Sequence, residues 1–371
     1  MTSGDERSAW LRLAALPVSA RRRARLLDSF GHPEALFEAS SDRWHEAGID
    51  AGLQSQLRTA GGLDVRRDLD RLDALDIDLV TRDDPRFPSS LASIDDPPVL
   101  LFVRGRLPEA ERPCVALVGT RRVSAYGSLV AETLARELAG LGIGVISGLA
   151  AGIDSAAHKG ALRAGADAYT AGVLGTGVDR IFPASHVELG EQVAQRGALI
   201  SEFGLGENPL AWHFPLRNRI ISGLSRAVVV VQAPLRSGAL ITARLAAEQG
   251  REVLAVPGLI TDARQEGCHA LLRDGAGLVR DVDDILTALG LRRTGEGDTL
   301  DFGPPPAAPP AAKLSTEEQA VVETLSLTPV SVDDVIEGSR LSTPEVQSAL
   351  VTLELAGLVV RLPGNRFVRA T

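Results

Sequence analysis

The chain has 371 residues and a formal net charge of −9 at neutral pH, from 39 basic and 48 acidic residues. Its length suits two or three domains, and a hydrophobic fraction of 44% is enough to fill their cores. The acidic balance excludes a protein that coats polyanions with its whole surface, so any nucleic-acid contact has to come from a local cluster of cations.

The cysteine content and the N-terminus both favour the cytoplasm. Cys114 and Cys268 lie far apart and form no metal-ligand spacing, which is typical of a reducing compartment. The N-terminal segment carries Asp5, Glu6 and Arg7, so we expect no signal peptide. No apolar run is long enough to span a bilayer, and we expect a cytoplasmic protein without membrane contact.

Residues 1–76 predict a bundle of short helices, of the SAM or helix-hairpin-helix-like kind. Capping residues or proline precede several helical segments, and Gly31, Gly48 and Gly61 separate them. A basic run extends from Arg21 to Arg25. We interpret this run as a solvated helix face, with contact to phosphate as the weaker alternative.

Residues 77–290 change to an alternation of strands and helices. Two strands, 77–81 and 99–104, lead into this region. The later strands are apolar throughout and amphipathic segments follow several of them, which indicates an α/β domain with a parallel sheet covered on both faces. We predict its strands at 115–118, 143–147, 168–174, 198–202, 227–232, 252–256 and 277–279. We predict its helices at 127–140, 153–164, 187–195, 239–249 and 268–274.

Several of the predicted strands end in small residues. In an open parallel sheet, ligands bind beyond the carboxyl ends of the strands, and glycine there lets the backbone approach a phosphate. The N-termini of the following helices add free N–H donors. Four such ends at one edge predict a site for a nucleotide or a polynucleotide. The ends are Gly119-Thr120-Arg121, Ser147-Gly148, Gly175-Thr176-Gly177 and, after a loop, Ser237-Gly238.

The stretch of residues 212–242 concentrates the chemistry for this site. Phe214, or alternatively Trp212, offers a ring on which an unpaired base could stack, a contact that contributes about 1–3 kcal/mol. The side chains that could hold phosphates at this edge are Arg121, Arg122, Arg217, Asn218 and Arg219. The alternative is structural: Arg217 and Arg219 would pair with carboxylates, and Phe214 would belong to the core.

The C-terminal part of the chain predicts a linker and a separate module. Residues 291–313 form the linker, because the proline-rich run Gly303–Pro310 cannot build a core. Residues 314–371 predict a winged-helix domain, with three helices followed by a hairpin. Winged helices usually contact duplex DNA through the third helix. Here that helix carries Glu345 and Glu354 and no cation, so we interpret the module as a protein-contact or accessory domain.

The chain lacks the sequence patterns of P-loop ATPases, zinc proteases and serine hydrolases. Asp154 and His158 are four residues apart, so a helix would place both on one face. There they could act as an acid–base pair or tie the helix to its loop. We favour the structural role and predict a protein that is not an enzyme, with no metal and no cofactor.

Five segments together resemble the DNA-processing protein A family, also called DprA or Smf. They are 118–121, 147–158, 214–221, 237–243 and 250–258. The resemblance covers about residues 114–290. It implies an extended Rossmann-like domain that binds single-stranded DNA, forms a homodimer and loads the RecA recombinase during natural transformation.

The same resemblance implies roles for individual residues. Arg121 corresponds to the family's DNA-contacting arginine, and the segment from Cys268 to Leu272 to its dimerisation region. The other residues that it implies around the DNA pocket are Ser147, Gly148, Phe214, Arg217, Asn218, Arg219, Ser237 and Gly238.

Two other functions stay open. The fold is also similar to that of the lysine-decarboxylase-like nucleotide hydrolases, which would make the chain a nucleotide sensor or hydrolase. Their PGGxGTxxE signature is missing, because the corresponding loop, residues 235–242, has no glutamate. The remaining hypothesis is a regulator of duplex DNA that acts through the winged helix.

Overall fold

The computed structural model describes residues 4–291, 314–326, 329–355, 358–362 and 366–369. The residues group into two compact units, which are Met1–Val123 with Val130–Leu300, and Ser124–Leu129 with Asp301–Thr371. The predicted proline-rich linker lies outside the described residues from position 292 onward.

The first unit begins with a bundle of short helices, as the sequence predicts. The helices are α1 (Gly4–Ala14), α2 (Ala20–Phe30), α3 (Pro33–Glu38), α4 (Ser41–Glu46), α5 (Ala51–Gly61) and α6 (Arg66–Ala74). The side-chain oxygens of Ser19, Ser40 and Asp50 each accept a backbone N–H bond three residues ahead, which sets where α2, α4 and α5 begin. Leu36 and Leu57 are fully buried in the core of the bundle.

Within residues 77–291, nine strands form one sheet. In chain order they are β1 (Ile77–Thr81), β2 (Leu100–Gly105), β3 (Cys114–Gly119), β4 (Gly144–Ser147), β5 (Thr170–Val173), β6 (Ala198–Ser201), β7 (Ala227–Gln232), β8 (Glu252–Ala255) and β9 (Gly277–Leu278). Their order in space is β1-β2-β6-β5-β4-β3-β7-β8-β9. From β6 across to β9 the pairs are parallel, whereas β1 and β2 extend the edge in antiparallel pairing.

The strand β3 lies where the winding of the sheet reverses. Its neighbours are β4 on one side and β7 on the other, so the chain builds outward from β3 in both directions. In open parallel sheets such a reversal leaves a crevice at the carboxyl ends of the two strands that flank it. The topology therefore predicts a binding crevice at the edge where β3 and β7 end.

Helices cover both faces of the sheet. They are α7 (Ser89–Ala92), α8 (Ala125–Gly140), α9 (Ile153–Leu162), α10 (Val187–Arg196), α11 (His213–Gly223), α12 (Gly238–Glu248), α13 (Glu266–Arg273) and α14 (Val282–Ala288). Alternate residues of β3 reach opposite layers. Val115 and Leu117 pack with α8, α9 and α14, whereas Ala116 and Val118 pack with α11, α12 and α13. The predicted doubly covered α/β sheet is confirmed.

The helix α11 is absent from the sequence predictions, and its composition explains why. The face that it buries is largely polar, so no apolar period of 3.6 residues marks it. Its buried residues are His213, Arg217, Asn218, Arg219, Ile220, Ile221, Ser222 and Gly223.

The second unit has the predicted winged-helix elements in its described residues. They are α15 (Thr316–Thr324), α16 (Val332–Ser339), α17 (Thr343–Leu355), β10 (Val330–Ser331), β11 (Val359–Leu362) and β12 (Arg366–Arg369). A capping box of Ser315 and Glu318 sets the start of α15. The strands pair antiparallel in the order β10-β12-β11, and the predicted hairpin turn, residues 363–365, lies outside the described residues.

Among the helices that the structure describes in either unit, none combines the length and the apolar character needed to cross a membrane.

Candidate functional site

A cleft of about 620 Å³ opens at the carboxyl ends of β3 and β7. Its walls come from the loop after β3, the start of α9, the exposed side of α11 and the first turn of α12. Of the ten predicted DNA-binding residues, the structure places these in the lining of the cleft: Arg121, Arg122, Phe214, Arg217, Asn218, Ser237 and Gly238.

The loop after β3 packs tightly against the start of α9, and Gly152 leaves the space for this contact. Gly152, just before α9, has a φ of +86°, and a Cβ atom there would lie 2.2 Å from the carbonyl oxygen of Thr120. The backbone N–H of Ile153 donates to that same carbonyl at 3.2 Å. On the other side, the Thr120 N–H donates to the Gln232 carbonyl at 2.7 Å. Because the loop is tied to both neighbours, the exposed Arg121 starts from a rigid backbone.

An arginine and an aromatic ring meet at the mouth of the cleft. The guanidinium carbon of Arg121 lies 4.9 Å from the centroid of the half-buried Phe214 ring, which is cation–π geometry. A second ring, Phe182, lies 6.1 Å from Phe214 with its plane tilted by 50° and is 41% exposed. Gly175 makes room for this arrangement, because a Cβ atom there would lie 3.1 Å from the Phe214 ring.

Arg217 lies beneath this pair and is only 4% exposed. Its guanidinium donates to the carbonyl of Gly148 at 2.8 Å and to the carbonyl of Val173. Its Nε donates to Oδ1 of Asn218 at 3.0 Å. Burial lowers the pKa of Arg217 to about 10, and the opposing attraction of Asp154 is smaller. The hydrogen-bond acceptors of Arg217 are neutral, and the carboxyl of Asp154, which also lines the cleft, offsets only part of the positive charge at its floor.

The first turn of α12 forms the wall opposite the Arg121 loop. Ser237 caps this helix, since its Oγ accepts the N–H of Ala239 at 3.3 Å. Gly238 is exposed, and its carbonyl accepts a hydrogen bond of 3.5 Å from the side-chain amide of Asn218. Helix N-termini favour anions because their N–H groups are unpaired and the helix dipole is positive there. The wall therefore favours anions, as the cationic floor does.

Ser147 and Gly148 do not face the cleft, contrary to the expectation that they bind DNA through backbone N–H groups. The Ser147 hydroxyl is fully buried and donates to the Leu117 carbonyl at 2.7 Å. Gly148 is also buried, with its N–H bonded to Asp154 and its carbonyl to Arg217. Neither residue lines the cleft, because Ser147 is the end of β4 bonded to β3, and Gly148 is held between Asp154 and Arg217. Gly148 contributes by positioning Arg217 through its carbonyl.

Arg219 has a structural ion pair in place of the expected phosphate contact. It is 7% exposed and donates to Glu202 at 2.9 Å and to Asp96 at 3.3 Å. Burial alone would lower the pKa of Arg219, but the two carboxylates outweigh it and raise that pKa. Residues two apart on a helix point in nearly opposite directions, which is why Arg217 and Arg219 reach different surroundings.

Asp154 and His158 do not form an acid–base pair. Asp154 accepts the N–H of Ala150 at 3.4 Å as well as that of Gly148, and burial raises its pKa. Nδ1 of His158 lies 2.8 Å from the Thr170 hydroxyl, which itself donates to the Val145 carbonyl. The imidazole therefore supplies the proton to Thr170 from Nδ1. Burial first, then the charges of His186 and Arg217, lower the pKa of His158 to about 3, so the ring is neutral.

Phe182 and Arg236 are among the exposed side chains of the cleft that the sequence reasoning missed. Phe182 follows the Gly175-Thr176-Gly177 strand end by a few residues, and that strand end was the signal that could have led to it. Arg236 directly precedes the predicted Ser237-Gly238 pair. Both are contributed by loops, where no periodicity indicates the direction of a side chain.

Comparisons with known proteins match both parts of the chain. The family model for DNA recombination-mediator protein A matches residues 78–290, and that for the DprA winged helix domain matches residues 305–365. Protein Smf of Escherichia coli is 41% identical over 299 residues, covering 77% of this chain and 76% of that protein. DNA processing protein DprA of Streptococcus pneumoniae is 44% identical over 203 residues, covering 55% and 71%.

Two solved structures have a similar fold. The X-ray structure of DprA from Streptococcus pneumoniae has a TM-score of 0.66 and 34% identity, covering 77% of this chain and 98% of that one. DNA processing protein A from Helicobacter pylori, described for its single-stranded DNA binding mode, has a TM-score of 0.51 and 28% identity, covering 57% and 95%. The family match spans more than half of the sequence, so this chain belongs to the DNA recombination-mediator protein A family.

Proposed function

We propose that this chain binds single-stranded DNA in the cleft at the carboxyl edge of its sheet and acts as a recombination mediator. The observation that carries the proposal is the Arg121 guanidinium 4.9 Å from the ring of Phe214, at the mouth of a cleft with a cationic floor. The relative from Helicobacter pylori, whose fold is similar, is described by its binding of single-stranded DNA.

The cleft favours an unpaired strand over a duplex. The rings of Phe214 and Phe182 are partly exposed, and an unpaired base has a free face to stack on them. Bases in a duplex are already stacked on each other, so they offer these rings no free face. Arg121, Arg122 and the N-terminus of α12 would then hold the adjoining phosphates.

We further propose that the protein works without catalysis. The polar groups beneath the cleft have structural partners: Asp154 accepts backbone N–H bonds, and His158 is a neutral core residue. A group already engaged in this way is a poor proton-transfer catalyst, because abstracting or delivering a proton would break its buried contacts. The nucleotide-hydrolase alternative would depend on these two residues and is therefore disfavoured.

Two parts of the proposal concern partners. A homodimer would form next to α13, where Leu259, Ile260 and Leu278 are 60%, 90% and 47% exposed. Cys268 is fully buried, so these exposed neighbours would supply the contact in place of the cysteine itself. Delivery of the strand to the RecA recombinase in natural transformation rests on the family alone.

The proposal is tested by the Arg121→Ala variant with a fluorescent oligo-dT. We expect affinity to fall about tenfold or more, since hydrogen bonds to charged groups contribute about 1.5–3 kcal/mol. The slope of log affinity against log salt should also fall by about 0.7, the value for one phosphate contact on a single strand. Fluorescence anisotropy over a series of salt concentrations measures both quantities.

A matched control is Arg136→Ala. Arg136 is exposed in the second half of α8, away from the carboxyl edge, so this variant makes the same change in net charge without touching the cleft. Equal affinities for the wild type and Arg121→Ala, or equal losses in the two variants, would contradict the proposed site.

A further inference from the structure

A second groove of about 590 Å³ runs along the outer face of α12. It shares Arg236, Ser237, Gly238 and Ile241 with the cleft, so the two depressions are continuous. Leu235 and Arg244 line the groove and do not line the cleft. The groove therefore continues the cleft over the first turns of the helix.

The surface of this groove combines aliphatic side chains with two arginines, and the carboxylate of Glu248 also lines it. Leu235 is 57% exposed and Ile241 is 42% exposed, so the groove offers apolar surface beside its charged side chains. Arg236 is exposed beside them. Arg244 has an 80% exposed side chain, and its pair with Glu248 at 2.7 Å is of the solvent-exposed i,i+4 kind, which contributes little to stability. Arg244 is thus available to a stronger anionic ligand.

We propose that this groove holds the nucleotides next to those in the cleft. The inference rests on the proposed function, since the occupant is the same single strand as it leaves the cleft. Arg236 and Arg244 bind its phosphates, and Leu235 and Ile241 contact its bases or sugars. The continuity of the two depressions and the charge of the two arginines favour a polynucleotide over an apolar partner.

The geometry gives the groove a separate effect on binding. The first two turns of α12 extend about 11 Å, which is long enough for more than one nucleotide beyond the cleft. A short strand that fills only the cleft does not reach Arg244. A longer strand does, so strand length separates the two sites.

The test compares oligo-dT of about four and about twelve nucleotides, a range that spans the site sizes of sequence-tolerant single-strand binders. The variant is the double substitution Leu235→Ser with Arg244→Gln, which leaves the cleft lining unchanged. We expect affinity for the long strand to fall about fivefold, with a salt slope lower by about 0.7, and affinity for the short strand to stay the same.

The control is Leu63→Ser with Arg66→Gln in the N-terminal bundle. Leu63 is 39% exposed, and the Arg66 side chain is 86% exposed and paired with Asp64 at 2.6 Å, so the changes in charge and apolar surface match. An unchanged affinity of the groove variant for the long strand, an equal loss for both lengths, or the same loss in the control would overturn the groove.

Different results would contradict the proposal for the groove and the proposal for the cleft. If Arg121→Ala abolishes binding of the short strand while the groove variant binds the long strand normally, the groove is wrong and the proposed function stands. If Arg121→Ala binds both strands normally while the groove variant weakens the long one, the cleft assignment is wrong and the groove stands. A wild-type protein that binds neither strand overturns both.

Discussion

Two arginines on one helix, Arg217 and Arg219, have similar burial and different roles. They are 4% and 7% exposed. Arg217 donates to the carbonyls of Gly148 and Val173 beneath the cleft. Arg219 donates to the carboxylates of Glu202 and Asp96 on the other side of the helix. The acceptors, and not the depth of burial, distinguish the two.

The pKa values of the two arginines move in opposite directions for this reason. Burial dominates at Arg217 and lowers its pKa to about 10, whereas the carboxylates dominate at Arg219 and raise its pKa. A guanidinium neutralised by carboxylates is costly to remove, because the buried carboxylates are then unpaired, and it has little attraction left for an anion. A guanidinium held by carbonyls keeps its positive charge for a ligand. In this protein the guanidinium at the cleft, that of Arg217, is the one held by carbonyls.

The largest expected effect is on stability, in Arg219→Leu. Removing this cation leaves the buried Glu202 carboxylate without its partner, which costs about 3–5 kcal/mol. Arg217→Leu should cost less, about 1–3 kcal/mol, since it leaves carbonyls without a donor. Denaturant unfolding of the two variants measures the difference. A larger loss of stability in Arg217→Leu than in Arg219→Leu would contradict the different roles of the two arginines. So would a loss of DNA binding in folded Arg219→Leu but not in Arg217→Leu.

The next effect is on binding, in Gly148→Ala. A Cβ atom at this position would lie 2.3 Å from the Arg217 guanidinium, the mobile end of a long side chain. We expect the guanidinium to shift and the fold to survive, while affinity for oligo-dT falls about tenfold, or about 1.4 kcal/mol. Gly140→Ala is the control, because a Cβ atom there meets nothing within 4 Å. A Gly148→Ala protein that binds like the control would show that Arg217 does not serve the ligand.

A third expected effect depends on pH, through the neutral His158. The unfolded chain takes up a proton on this residue below its ordinary pKa of 6.5, whereas the folded protein resists until about pH 3. The stability that depends on the neutral ring is therefore complete above pH 6.5 and is lost as pH falls toward 3, by about 1.4 kcal/mol per pH unit. Asp154, whose pKa is raised, has the opposite dependence.

The variant His158→Gln isolates this contribution. Glutamine keeps a polar side chain and does not titrate, and the effect of Asp154 is present in both proteins. We expect the stability advantage of the wild type over the variant to shrink between about pH 7 and about pH 5. Urea unfolding at both values measures it. An advantage that grows on acidification would mean that the folded protein binds the proton on His158.

The sequence by itself determined most of the strands and helices, though not α11, and it predicted the edge where a ligand would bind. The apolar strand at 227–232, the caps at Ser19 and Ser315, and the glycines at the strand ends are local signals, and each corresponds to an element of the structure. Local signals suffice there, because helix caps, strand burial and tight turns depend on residues a few positions apart. The family motifs led to the same edge.

Only the tertiary structure decided which polar residues face the cleft. Asp96 and Arg219 are 123 positions apart, and no local sequence pattern predicts their ion pair. The same holds for Gly148 and Arg217, at 69 positions, and for the ring of Phe182 beside Phe214. The direction of a side chain depends on partners that the fold brings from distant segments, and a buried charge takes whichever partners the fold offers.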